Sequence, residues 1–157
     1  MLFFALALSW VKELTETVIP EPYQLKLIFG RNRKAAGKNN YAVTFKGFPG
    51  DGERSVQLTP ALHRLFKTFA ERKMGTSEGW LEIKPKNFDT LKSYDINDHN
   101  ELKRLMEALL DGLFGKKNWT KDMHFTPLKN TLFEMSENRE RKIRLLLPKE
   151  NIYIDNE

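Results

Sequence analysis

Three groups of cationic side chains are the residues of this chain best suited to chemistry, and the chemistry that suits them is pairing with phosphate. Arg31, Arg33, Lys34 and Lys38 sit in a polar stretch between two apolar alternations. Residues 21 to 50 hold six basic side chains (Lys26, those four and Lys46) against Glu21 alone, six minus one, a net of +5. Lys116, Lys117 and Lys121 surround Trp119. Arg139, Arg141, Lys142 and Arg144 form the third group, with Glu137 and Glu140 interleaved, so that local ion pairs compete there with any external anion. Each cation that meets a phosphate releases condensed counterions. A solvated face is the competing use of the same charges.

Other chemistries find little support. The 157 residues contain no cysteine, which excludes disulfides, thiolate metal sites and a thiol nucleophile. The three histidines, His63, His99 and His124, do not fall in a metal-ligand spacing. The glycines of Gly47-Phe-Pro-Gly50-Asp-Gly52 match neither phosphate-loop pattern, and no G-x-S-x-G elbow is present. Carboxylates are numerous but scattered along helix faces. The expectation is a chain that is not an enzyme and takes no metal, cofactor or small-molecule substrate. Its overall charge of +5, from 26 basic and 21 acidic residues, fits a polyanionic partner.

The elements that must position these residues follow from periodicity. Apolar residues make up 40% of the chain, including 11 Phe and 3 Trp, enough to bury a core. From Tyr23 to Phe29 and from Tyr41 to Phe45 apolar residues alternate with others, and Val56 and Leu58 continue the pattern; three strands and a small antiparallel sheet are predicted. Thr59-Pro60 supplies a cap and a first-turn proline for a helix bearing Leu62, Leu65, Phe66 and Phe69 on one face and ending at Gly75. Trp80, Leu81 and Ile83 suggest a short strand, and Phe88, Leu91 and Tyr94 a helical turn. Asp98-x-x-Glu101 opens the clearest helix, whose stripe runs through Leu102, Leu105, Met106, Leu109, Leu110 and Leu113 to a stop at Gly115.

Thr126-Pro127 starts a third helix with Leu128, Leu132 and Phe133 apolar, Met135 at the edge, and Lys129, Asn130, Thr131, Ser136, Asn138 and Arg139 toward solvent. Ile143, Leu145 and Leu147, a turn at Pro148-Lys-Glu-Asn151, and Ile152 with Ile154 predict a closing hairpin. The result is an α+β domain over residues 21–157: a small antiparallel sheet, a three-helix core and a C-terminal β-hairpin. Pro20-Glu-Pro22 reads as a linker from residues 1–20. There Met1 to Val11 is almost unbroken apolar sequence, shorter than the roughly 20 residues a transmembrane helix needs. It reads as a buried helix, a dimer-forming segment, or the tail of a membrane span from a longer polypeptide. A helix to about Val18, buried or pairing two copies, is the favoured expectation, with the cytoplasm as the compartment.

The order of elements, together with Val56-Gln-Leu58-Thr59-Pro60-Ala-Leu62-His-Arg-Leu65-Phe66, resembles the winged-helix effector domain of two-component response regulators, the OmpR/PhoB type. That resemblance implies double-stranded DNA as partner and transcription regulation as the role, with the last helix entering the major groove and the hairpin touching phosphates. Carried to this sequence, Lys129, Asn130 and Thr131 would contact bases, and Arg139, Arg141, Lys142 and Arg144 would contact phosphates, joined by the basic residues Arg31, Arg33 and Lys34. The other reading is a non-enzymatic interaction or assembly adaptor that uses the apolar N-terminus.

Overall fold

Alternation of apolar and polar residues builds the first sheet. The computed structural model describes residues 19–30, 41–50, 52–75, 78–85, 93–98, 100–137 and 141–154. In it β1 (Lys26–Phe29), β2 (Ala42–Lys46) and β3 (Glu53–Gln57) form an antiparallel meander. Leu27, Phe29, Val43, Phe45 and Val56 share one face and are fully buried. Lys26, Thr44, Lys46, Ser55 and Gln57 occupy the other, as the two-residue period of a strand requires. Tyr23 falls outside the strand predicted for it. It is 68% exposed in a turn that Gln24 closes, donating its N–H to the Glu21 carbonyl and accepting the Glu21 N–H on its side-chain oxygen.

Two helices cover the buried face. In α1 (Pro60–Met74) the Thr59 hydroxyl accepts the Leu62 N–H, and Gly75 stops the helix with its N–H on the Glu71 and Arg72 carbonyls. Phe66 and Phe69 point inward from it, both fully buried. In α2 (Asn100–Phe114) the Asp98 carboxylate accepts the Asn100 N–H, and the stripe from Leu105 to Leu113 is buried. Gly115 closes α2 at φ +95°, a left-handed geometry that glycine adopts without strain. Arg54 of β3 lays its guanidinium over the Phe48 and Phe114 rings at 4.6 and 5.4 Å and donates to the Leu113 carbonyl, a cation on the negative end of α2.

A second sheet is made of β4 (Leu81–Glu82), β5 (Phe133–Met135) and β6 (Lys142–Leu145), in the order β4-β6-β5. Here two expectations are corrected. The helix from Thr126, α3 (Thr126–Leu132), ends at Leu132 and does not run on through Met135. Phe133 is extended, with φ −126° and ψ 148°. That turns its ring onto Phe69, 4.9 Å away, and lets the Leu132 carbonyl, left without a helical donor, accept the Leu146 N–H. The closing hairpin is likewise β5–β6, with Phe133 opposite Leu145 and Met135 opposite Ile143.

The segment after Pro148 does not fold back on β6. A helical turn over Lys149–Asn151 carries the chain to the first sheet, where β7 (Ile152–Ile154) joins parallel to β1, giving the order β3-β2-β1-β7. Alternation identified both strands correctly, but a two-residue period carries no information about partners. The protein is an α+β fold with a four-stranded mixed sheet and a three-stranded antiparallel one.

The predicted linker at Pro20 is packed down. Pro20 is buried, its carbonyl accepts the Thr131 hydroxyl, and Ile19 rests on the core. The helical turn proposed for Phe88 and Leu91 lies outside the described residues, as do residues 1–18. No described helix is long and apolar enough to cross a membrane.

Gly112 sets the approach of α2 to β3: a Cβ there would stand 2.5 Å from the Val56 Cγ1, inside a filled core. Gly112→Val is expected to lower the free energy of unfolding by about 1–3 kcal/mol, the range for overpacking. Urea titration checks it as a lower midpoint at unchanged slope.

Candidate nucleic-acid interface

The residues leading into α3 are held against α2. Trp119 donates its indole N–H to Asp111 at 2.8 Å, and its ring lies 6.2 Å from Phe125. Thr120 caps a wide turn over Lys121–Phe125: its hydroxyl accepts the Met123 N–H, and its carbonyl accepts both the His124 and Phe125 N–H. His124 Nδ1 accepts the Thr120 N–H, and the ring stands edge-on to Phe114 at 4.7 Å. His124 is thereby a structural residue of this turn. Leu128 and Leu132 of α3 are fully buried, which directs Lys129 and Asn130 to solvent.

The base-contact candidates divide accordingly. Lys129 and Asn130 are exposed. Thr131 is turned inward, 8% exposed, with its hydroxyl on Pro20, and is not presented to a ligand. Positions 128, 131 and 132 share the buried face of α3, and the Pro20 carbonyl that accepts the Thr131 hydroxyl leaves no local signature in the sequence.

The phosphate candidates divide too. Arg141 is exposed immediately before β6. Lys142 is half-buried in β6, opposite Glu82 in the register, and is engaged within the fold. Arg144 is committed to structure: its side chain is 23% exposed, and its guanidinium lies on the Trp80 ring at 4.3 Å. Its Nε and Nη2 both reach Glu134 at 2.8 Å, and Nη1 donates to the Glu78 carbonyl. Trp80 is fixed in turn by donating to Glu78. Burial, with Arg144 and Lys149 nearby, lowers the Lys73 pKa against the opposing pull of Glu134. Arg144 therefore belongs to a charge network under the second sheet, a correction to its assignment as a phosphate contact. Arg31, Arg33, Lys34, Lys38 and Arg139 lie outside the described residues, and so does His99.

Three cations do meet. Lys103 on α2, Lys129 on α3 and Arg141 on the hairpin line one groove of about 340 Å³, floored by Ile83, Leu102, Met106, Phe125, Met135 and Ile143. No carboxylate lines it among the described residues, and none of the three cations has an ion-pair partner there. Sequence reasoning missed Lys103. It follows Leu102 of the apolar stripe of α2 and, with Arg104, forms a short basic pair within that helix, so only the folded structure shows that it faces Lys129 and Arg141. Asp95 takes Arg72 at 2.7 Å and the Glu82 N–H at 2.9 Å. Among the described residues no three metal-ligating side chains converge.

His63 is the one described histidine inside the core, 4% exposed, between Phe29 and Tyr41 with ring centroids 6.0 and 5.4 Å away. Its Nε2 has no partner among the described residues. Burial, and then the positive charge of Lys67, hold its pKa below the ordinary 6.5.

No known protein family matches the chain, nor does any curated protein or solved structure.

Two outcomes follow from this geometry. Arg144→Ala should cost about 1–3 kcal/mol of unfolding free energy, the cost of stranding charged hydrogen-bond partners. Arg141→Ala should leave stability within about 0.5 kcal/mol, as a surface change does; paired denaturant titrations compare them. As pH falls through 6.5 the unfolded chain takes up a proton on His63 before the folded chain does. The stability from this group is thus complete above 6.5 and is lost progressively below it, toward the lower folded-state value. Unfolding midpoints measured between neutral and mildly acid pH should fall for the native chain and fall less for His63→Phe.

Proposed function

We propose that this protein is a non-enzymatic, winged-helix-like domain of the cytoplasm that binds double-stranded DNA through α3 and the β5–β6 hairpin and serves transcription regulation. One observation carries the reading. A short helix with Lys129 and Asn130 exposed is followed at once by a hairpin whose exposed Arg141 stands on the same groove as Lys129, and neither cation is neutralised among the described residues. The order of a sheet, three helices and then a hairpin is the order the response-regulator resemblance leads one to expect, with the hairpin moved to Phe133–Leu145. In this reading Asn130 offers the donor–acceptor pair that suits an adenine edge, and Lys129 and Arg141 fix register on phosphates. Thr131 and Arg144 take no part. Dimerisation through residues 1–18 belongs to the same proposal, since paired half-sites are how such helices usually gain affinity.

A labelled duplex titrated by fluorescence anisotropy across a salt series tests this. The logarithm of affinity should fall linearly with the logarithm of salt, by about 0.9 per phosphate contact. Lys129→Ala and Arg141→Ala should each flatten the slope by about one, and Arg144→Ala should leave it alone. Asn130→Ala should narrow the gap between strong and weak sequences, by about 1–3 kcal/mol if the contact is bidentate. A salt-independent response, or equal slopes for all variants, would count decisively against DNA as the partner.

A further inference from the structure

The groove between α2, α3 and the hairpin has a property that a duplex backbone does not use. Its floor is apolar, and Met135 on it is 48% exposed. A phosphate can pair with the rim but leaves that floor wet, whereas apolar area gains only when water is excluded from it. Two other concave sites among the described residues differ in charge. The groove between α1 and α2 mixes Arg64 and Arg104 with Asp95 and Glu101. The hollow beside Trp80 carries Glu78, Glu134 and Glu137. Of these three, the groove between α2, α3 and the hairpin is the one that combines a hydrophobic floor with cations alone. Each of the three elements enclosing it supplies one: Lys103 from α2, Lys129 from α3 and Arg141 from the hairpin.

A ligand satisfying both parts needs an apolar stripe flanked by carboxylates. A helix achieves this with apolar residues at i, i+3, i+4 and i+7 and acids beside them, a recurring way for one protein to seat a segment of another. We infer that the groove is a docking site for an acidic amphipathic helix of a partner protein. Charge complementarity selects it: three cations with no ion-pair partner among the described residues, set around apolar surface, favour such a segment and repel its basic counterpart. Because Lys129 and Arg141 also belong to the proposed DNA interface, the segment and the duplex exclude one another, so a bound partner would release the protein from DNA.

The test uses the full chain and a labelled 18-residue peptide with leucines at helical spacing and flanking glutamates. Saturable binding is expected at micromolar concentration, and replacing the glutamates by lysine, or the leucines by serine, should weaken it by at least about tenfold. Met135→Asp and Lys103→Glu, both at exposed positions outside the proposed duplex contacts, should each weaken the peptide by about tenfold and leave the circular dichroism spectrum unchanged. Equal binding of all three peptides, or indifference to both substitutions, overturns the inference. So does capture by vesicles of phosphatidylserine and phosphatidylcholine in preference to the peptide. The duplex titration is read separately. Duplex binding without peptide binding removes this inference and leaves the DNA reading standing; peptide binding without duplex binding does the reverse.

Discussion

The packing of Phe66 holds the two halves of this fold together. From the middle of α1 its ring meets Phe29 at 5.2 Å and Phe45 at 6.2 Å on the first sheet, and Phe133 at 6.5 Å on the second. Phe69, one turn on, meets Phe133 at 4.9 Å. α1 is thus a wedge with aromatic contacts to both sheets. The cost of truncating such a fully buried ring is about 3–5 kcal/mol, a large share of a small domain's stability. The same contact decides where α3 stops. Phe133 is extended because its ring belongs to that cluster, and once it is extended the hairpin must begin there. The position of Lys129 relative to Arg141 is therefore a consequence of an aromatic contact made two residues before Met135, on the same face of the second sheet.

Charge is sorted by the same packing. Arg54, Arg72 and Arg144 all lie against rings, carbonyls or carboxylates of their own fold: Arg54 under α2, Arg72 on Asp95, Arg144 between Trp80 and Glu134. Their planar guanidinium groups suit that work, since one fork can serve several acceptors while its face covers an aromatic ring. Three cations with no ion-pair partner among the described residues, Lys103, Lys129 and Arg141, line one groove. A surplus of +5 spread evenly would say little about partners. Three of its cations set around an apolar floor with no carboxylate lining it give an anionic partner more to gain there, which is why the groove carries both functional proposals.

The two clearest helices were legible because their signals are local. Thr59-Pro60, the Asp98 cap, Gly75 and Gly115 each act within a few residues, and each does what its chemistry requires. The alternations over Leu27 to Phe29 and Val43 to Phe45 also became strands as read. Of the candidate site, Lys129, Asn130 and Arg141 stand at the surface. Thr131 and Arg144 do not: the Thr131 acceptor, Pro20, is 111 residues away, and Arg144 meets Glu134 only through the β5–β6 pairing and the Glu78 carbonyl from 66 residues away. Nothing in a local pattern announces partners at such distances.

From its residue order alone this chain determined that it is α+β, where α1 and α2 begin and end, and which segments are extended. Caps, prolines, glycines and hydrophobic periods act over one or two turns, so the order of residues suffices for them. Tertiary structure decided that β6 pairs with β5 and β4 while β7 crosses to β1. It also decided that α3 is two turns long, and that Lys103 joins Lys129 and Arg141. Those outcomes depend on which apolar surfaces are buried together, and burial is a property of the whole packed chain rather than of any stretch of it.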